Sequence, residues 1–287
     1  EVDELYSQIN YQDQPVRVSP LKYASVIKWF TNMREGIPAY IKIDMATQNT
    51  ELVKLSEGMK YTTSDHFNRN IYRHLRFNYP TYIFNDLSFE IDEDGVPYWI
   101  CPVKKYNIGL FGGTTIGRVV LCNAITGETK DYAVEDVPQW VDRVYSADLL
   151  VELYNYHGTL KHGFFNSVLG QKDCLNTTDG YNYLAIDDDV WVYTGVTSIT
   201  GDQSNVGFVL MNQRTMETKF YEIEGATESS AMSSAEGQVQ NLHYTATFPL
   251  LLNISGEPTY FIALKDDAGL VKKYAMVNVQ KYQIVAI

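Results

Sequence analysis

Runs rich in Val, Ile, Tyr, Phe and Trp alternate along the chain with short breaks bearing Gly, Asn and Asp. Such runs suit the pleated, half-buried surface of a sheet. Asp92-Glu93-Asp94-Gly95, Asn123-Ala124-Ile125-Thr126-Gly127 and Asn253-Ile254-Ser255-Gly256 read as turns between them, with Gly127 placed to take a positive φ. Four segments carry a helical period instead. Leu21 to Arg34 sets Leu21, Ala24, Ile27 and Phe30 on one face, and Ser64 caps a second helix with Phe67, Ile71, His74 and Leu75 along its face. Trp140 to Tyr156 holds a third, burying Val141, Val144, Leu149 and Leu153; Thr227 or Ser229 opens a fourth through Ala231, Met232, Ala235 and Val239. Local hairpins with interspersed helices predict an α+β protein, each antiparallel sheet covered on one face by a helix.

The chain repeats itself. Val120 to Glu135 and Val209 to Glu224 align without a gap as V-L-x-N-x-x-T-x-E-T-K-x-Y-x-[VI]-E, and Ile43-Asp44-Met45-Ala46-Thr47 opens a weaker third copy. A second element recurs as Gly95-Val96-Pro97, Gly256-Glu257-Pro258 and Gly36-Ile37-Pro38. These copies predict duplicated antiparallel sheets packed with helices in two pseudo-equivalent halves, 19–136 and 180–287, joined by a helical, aromatic-rich bridge over 137–179.

The segment Val120-Leu121-Cys122-Asn123-Ala124-Ile125-Thr126-Gly127-Glu128 resembles the close of a PepSY repeat, a hydrophobic strand followed by Asp or Asn, a small residue and x-Thr-Gly-x; Asn123 stands for the acid. Phe89 to Trp99 resembles that family's first two strands, and in the second half Met216 replaces the glycine. The resemblance covers about two thirds of the chain. It implies a PepSY- or cystatin-like fold and a non-enzymatic module outside the membrane that binds or restrains other envelope proteins. The whole also resembles the extracytoplasmic region of uncharacterised, membrane-anchored proteins of Gram-positive bacteria.

Composition narrows the field. At 287 residues with 45% hydrophobic and 20% charged, the chain is globular, with length for one large or two ordinary domains. Its net charge of −12 weighs against nucleic acid and anionic membrane surfaces as partners. No apolar run is long enough to span a bilayer, so a membrane link is expected only through an anchor absent from this chain. The chain opens at Glu1, which reads as a processed or excised piece. Its five histidines form no H-E-x-x-H pattern, and no G-x-S-x-G occurs. Asp187-Asp188-Asp189 reads as a solvated turn, since a calcium loop needs alternating oxygen ligands, a central glycine and a distant glutamate. Cys101 and Cys122 read as core thiols on one hairpin, a cross-strand disulfide being the alternative. The glycine-rich stretch Gly109 to Gly117 lacks the lysine and helix of a phosphate loop and reads as a hairpin tip, which with the tip at Thr200 to Asn205 would form a binding edge.

No catalytic, cofactor-binding or metal-binding residue is therefore assigned. The stretch Leu153 to Asn166 lies outside the repeats and concentrates aromatic and histidine side chains. Aromatic anchors with polar handles favour recognition surfaces, so Tyr154, Tyr156, His162, Phe164, Phe165 and Asn166 form the candidate interaction surface. Core packing is the competing reading of the same residues. The function expected is a non-catalytic, extracytoplasmic binding or scaffold module of a bacterial envelope, a monomer or homodimer docking a partner protein or peptide. Two other classes stay open. One is a glycan-binding or glycan-hydrolysing protein, with Tyr98, Trp99, Trp140 and Trp191 stacking on sugars; the other is a structural subunit of a virion or surface layer.

Overall fold

The computed structural model describes residues 5–107, 113–199 and 204–287. The fold is mixed α+β with sheet predominating: four antiparallel sheets and a few helices. Residues 109–112 of the glycine-rich stretch and 200–203 of its counterpart lie outside the described residues, while residues 114–117 and 204–205 belong to strands rather than to a tip.

The first sheet runs β1 (Ser7–Tyr11), β2 (Gln14–Ser19), β3 (Ile37–Asp44) and β4 (Thr50–Met59), with α1 (Val26–Asn32) inserted after β2. Helix α2 (Ile71–Asn78) precedes the second sheet, β5 (Ser88–Ile91), β6 (Pro97–Tyr106), β7 (Thr114–Asn123) and β8 (Thr129–Ala133). Helix α3 (Ala147–Leu160) precedes the third. There β9 (Leu175–Thr177) pairs with β11, and β10 (Asn182–Ile186), β11 (Asp189–Ser198), β12 (Ser204–Asn212) and β13 (Thr218–Tyr221) run in order, with β14 (Gly225–Ala226) on β12. Helix α4 (Glu228–Gln238) precedes the fourth, in which β15 (Thr245–Ala246) and β16 (Leu250–Ile254) both pair with β17 (Glu257–Lys265), followed by β18 (Val271–Asn278) and β19 (Val285–Ala286).

One geometry recurs in all four sheets. The two central strands meet in the register Val16↔Asp44, Tyr98↔Asn123, Trp191↔Asn212 and Thr259↔Asn278. The residue after each Asp or Asn donates its N–H to the carbonyl of the residue before the strand partner: Met45 to Pro15, Ala124 to Pro97, Gln213 to Val190 and Val279 to Pro258, each at 3.0 Å. Proline fits there because the position opens a strand and uses only a carbonyl. In three turns the side-chain oxygen also takes two backbone N–H groups: Asp44 from Ala46 and Thr47, Asn123 from Ile125 and Thr126, Asn278 from Gln280 and Lys281. Gly127 stands at φ +77°, and its aligned residues Gln48 and Met216 take +59° and +64°.

The chain divides into two compact units. The first holds residues 1–146 with 185–190 and 213–216; the second holds 147–184, 191–212 and 217–287. The division at 146/147 falls inside the expected bridge. In the first unit two sheets enclose one core in which Tyr40, Phe89 and Trp99 pack edge to face, with Ile9, Val16, Ile71 and Leu75 around them. In the second, Tyr193, Phe208 and Tyr260 pack against Ala231 and Ala235 of α4.

Several expectations need correction. A hairpin, β1–β2, precedes the expected first half, and its turn residues Gln12 and Asp13 stand at φ +53° and +61° without a glycine. Pro15, not Pro38, is the counterpart of Pro97 and Pro258. Helix α1 starts only at Val26, capped by Ser25, and the side chain it buries is Trp29, while Ile27 and Phe30 face solvent. Asn70, not Ser64, caps α2; the Ser64 hydroxyl accepts the Tyr23 N–H, and Phe67 is exposed. Val141 and Val144 are buried in irregular chain before α3 rather than within it. The core-thiol reading of Cys101 and Cys122 holds, since both are buried and free; the alternative disulfide does not, as they stand opposite different residues, Val120 and Trp99.

Candidate functional site

The stretch singled out in the sequence forms α3 and the turns after it. Asp148 sits in the first turn of α3, where a carboxylate complements the helix dipole, and Gly163 at φ +85° ends the segment, its N–H donating to the Leu160 carbonyl. Helix α3 buries Ala147, Leu149, Leu150 and Gly158. Polar links strap the helix to β9. Asn155 donates to Thr177 Oγ1 at 3.1 Å and accepts the Thr177 N–H at 2.8 Å, and Thr159 Oγ1 donates to Asn176 Oδ1 at 3.0 Å. Gly158 allows the approach: a Cβ there would stand 2.3 Å from the Leu175 carbonyl oxygen.

Beside this contact α3 opens a groove of about 680 Å³, in the size range of small-ligand and peptide sites, whose walls include Asp148, Glu152, Tyr156, Leu160 and Phe164 together with Asn176 of β9. Phe164 is 69% exposed. The rim is acidic. Glu152 accepts the Tyr156 hydroxyl at 2.8 Å, which raises the Tyr156 pKa, and Asp148 accepts the Tyr181 hydroxyl at 3.1 Å. Among the described residues neither carboxylate meets a cation.

Of the predicted surface, the groove brings together Tyr156 and Phe164. Phe165 is exposed and packs edge to face on Phe164, 6.1 Å between centroids, outside the walls. Tyr154 is half-buried, and burial raises its pKa. His162 pairs with Asp173 at 3.2 Å, and Asn166 holds the following turn through the backbone of Lys172. The core-packing reading therefore fails for Tyr156, Phe164 and Phe165, which face solvent. The groove residues that sequence reasoning missed, Asp148, Glu152 and Leu160, sit at helical spacings from Tyr156, so the i, i+4 rule would have found them.

Other chemistry is thinner. Trp99 and Trp191 are buried and cannot stack on sugars. Tyr98 and Trp140 do share a cavity with Asp92 and Glu128, but its volume is about 160 Å³ and Asp92 Oδ1 is spent on the N–H groups of Asp94 and Val96. The acidic triplet divides: Asp187 and Asp188 make the turn at φ +50° and +66°, whereas Asp189 is buried and bound by Arg214 through two hydrogen bonds of 2.7 and 2.8 Å. The first unit buries a carboxyl pair. Glu90 accepts the N–H groups of Asp142 and Arg143 at 2.9 and 3.0 Å, and burial pushes its pKa up to about 7. Asp142 is raised too, by burial first and then by Glu90; its Oδ2 accepts the Asn10 N–H, while Oδ1 has no hydrogen-bond partner among the described residues. Neither lines the cavities described above. Among the described residues no three ligating side chains converge as a metal site, and no helix is long and apolar enough to cross a membrane.

Compared with known proteins, the chain matches no family model and no curated relative. The geometry carries the functional argument.

Proposed function

We propose that this chain is a non-catalytic, extracytoplasmic binding or scaffold module of a bacterial cell envelope, built from duplicated PepSY-like repeats, that docks a partner protein or peptide on α3. The observation that carries the reading is the open groove with solvent-facing Tyr156, Leu160 and Phe164 beneath an acidic rim. Exposed aromatic and aliphatic anchors ringed by polar groups are the usual anatomy of a docking site. Asp148 and Glu152 select a segment that offers apolar side chains together with Lys or Arg. The common register and the common carbonyl acceptor of the four sheets support duplication.

The test uses two labelled amphipathic peptides, one of Leu and Lys and one of Leu and Glu, followed by fluorescence anisotropy. The Lys peptide binds, Leu160→Ser with Phe164→Ser weakens it about tenfold or more, and Asp148→Lys with Glu152→Lys removes the preference for Lys. Equal binding of the Glu peptide, or indifference to the Leu160 and Phe164 changes, overturns the reading.

A further inference from the structure

The chain carries 35 acidic and 23 basic side chains, and two of its acid-free stretches are basic: 20–34, with Lys22, Lys28 and Arg34, and 66–85, with Arg69, Arg73 and Arg76. The fold brings the two together at α1. Trp29 is buried, and the rings of Phe30 and Phe67 stand 6.4 and 6.0 Å from it. Arg69 donates to the Met33 carbonyl at the end of α1. Beneath lies Asp65, itself buried, accepting the Trp29 Nε1–H at 3.0 Å and the Thr62 hydroxyl at 2.7 Å.

Above this anchor the surface is apolar. Val26, Ile27, Phe30 and Phe67 are 63%, 76%, 70% and 68% exposed. Every residue of α1 except Trp29 faces solvent, so these side chains project from a convex knob. Lys22, Lys28 and Arg34 are exposed as well, and the exposed acids adjoining the two stretches are Glu35 and Asp86. Protruding aliphatic and aromatic side chains accompanied by cations match a bilayer surface, where apolar groups enter the acyl boundary and cations meet lipid phosphates.

We infer that the α1 knob docks on an anionic membrane surface, with Val26, Ile27, Phe30 and Phe67 entering the interface and the flanking Lys and Arg meeting lipid headgroups. The net charge of −12 opposes such binding at long range, but salt screens that field beyond about 8–10 Å, and the cations act at contact. Charge favours anionic lipid over neutral lipid. The knob's convexity favours a deformable bilayer over an acidic protein, which would need a matching hollow.

The experiment is co-sedimentation of the full chain with vesicles of phosphatidylglycerol and phosphatidylcholine, or of phosphatidylcholine alone. The chain sediments with the anionic vesicles only. Ile27→Ser with Phe30→Ser lowers partitioning about tenfold or more, and each cation removed from Lys22, Lys28 and Arg34 lowers it about fivefold. Phe30→Trp gives a blue-shifted emission quenched by brominated lipid. These side chains are exposed, so the variants keep the wild-type melting temperature, which is measured alongside. No sedimentation with anionic vesicles, sedimentation indifferent to Ile27 and Phe30, or preferential capture by soluble poly-glutamate overturns the inference.

Discussion

Helices α1 and α3 both leave apolar side chains in water, and they differ in shape, charge and anchorage. Helix α1 in the first unit is a seven-residue knob flanked by cations. Helix α3 in the second is a fourteen-residue wall rimmed by Asp148 and Glu152. A helix normally holds to its protein by a broad apolar stripe. Helix α1 departs from this, turning all its side chains but Trp29 outward, whereas α3 buries Ala147, Leu149 and Leu150 and leaves Tyr156 and Leu160 in water; local contacts add to the anchorage of each, Trp29 with Asp65 below α1, and the Gly158 contact with the Asn155 and Thr159 bonds to β9 beside α3. Outward-facing apolar side chains are thus paired with specific, hydrogen-bonded anchors that keep each helix in place.

The largest effect is expected from removing the buried anchor of α1. Trp29→Ala deletes the one buried side chain of the helix and leaves Asp65 without its indole donor. A buried Trp→Ala change costs about 3–5 kcal/mol. Thermal melts should register that loss, and vesicle binding should fall while peptide binding at α3 persists below the melting temperature. An unchanged melt would mean that α1 is held by something other than Trp29.

At α3 the sign of the effect is the test. Gly→Ala inside a helix normally gains up to about 1 kcal/mol. At Gly158 the added Cβ would meet the Leu175 carbonyl, so Gly158→Ala should instead destabilise by about 1–3 kcal/mol, as overpacking does, and loosen peptide binding. A stabilised variant would show that α3 is not tightly strapped to β9.

How far these features are legible in the sequence depends on which interactions define them. The Asn123 turn is readable because its capping atoms lie within the turn itself. Its copy at Asn212 keeps the shape with Met216 at positive φ, since the Asn212 N–H still meets the Glu217 carbonyl. The β1–β2 hairpin is hidden because Gln12 and Asp13 take left-handed conformations that favour glycine. Periodicity reveals a helix near Ile27 and Phe30 but not which way it faces, because the same spacing serves core and solvent alike. The aromatic stretch before Asn166 drew attention by its composition, whereas its acidic rim and its bonds to β9 appear only once the chain has folded back on itself. Glu90 and Asp142, 52 residues apart, leave no local trace.

That carboxyl pair gives the subtlest contrast between the units. Glu228 in the second unit is also buried and also raised, mainly by burial, but an amide, Asn205 Nδ2, donates to it at 3.3 Å. Glu90 lies instead beside a second carboxyl, Asp142, so the two oppose each other's ionisation. A folded-state pKa raised from 4.5 to about 7 means that the native protein holds a proton which the unfolded chain releases across that window. Stability then falls as pH rises through the window and levels off above it. Wild-type protein should melt a few degrees higher near about pH 5 than near about pH 8. Glu90→Gln keeps one acceptor oxygen but turns an amide N–H₂ toward a backbone donor, so it should be less stable than wild type at the acid end, with the gap narrowing toward the alkaline end. Glu228→Gln should flatten the profile less, since its neighbour is a donor rather than a second acid. If melting curves across this range show Glu90→Gln with the wild-type slope, the Glu90–Asp142 pair does not set the pH response of the first unit.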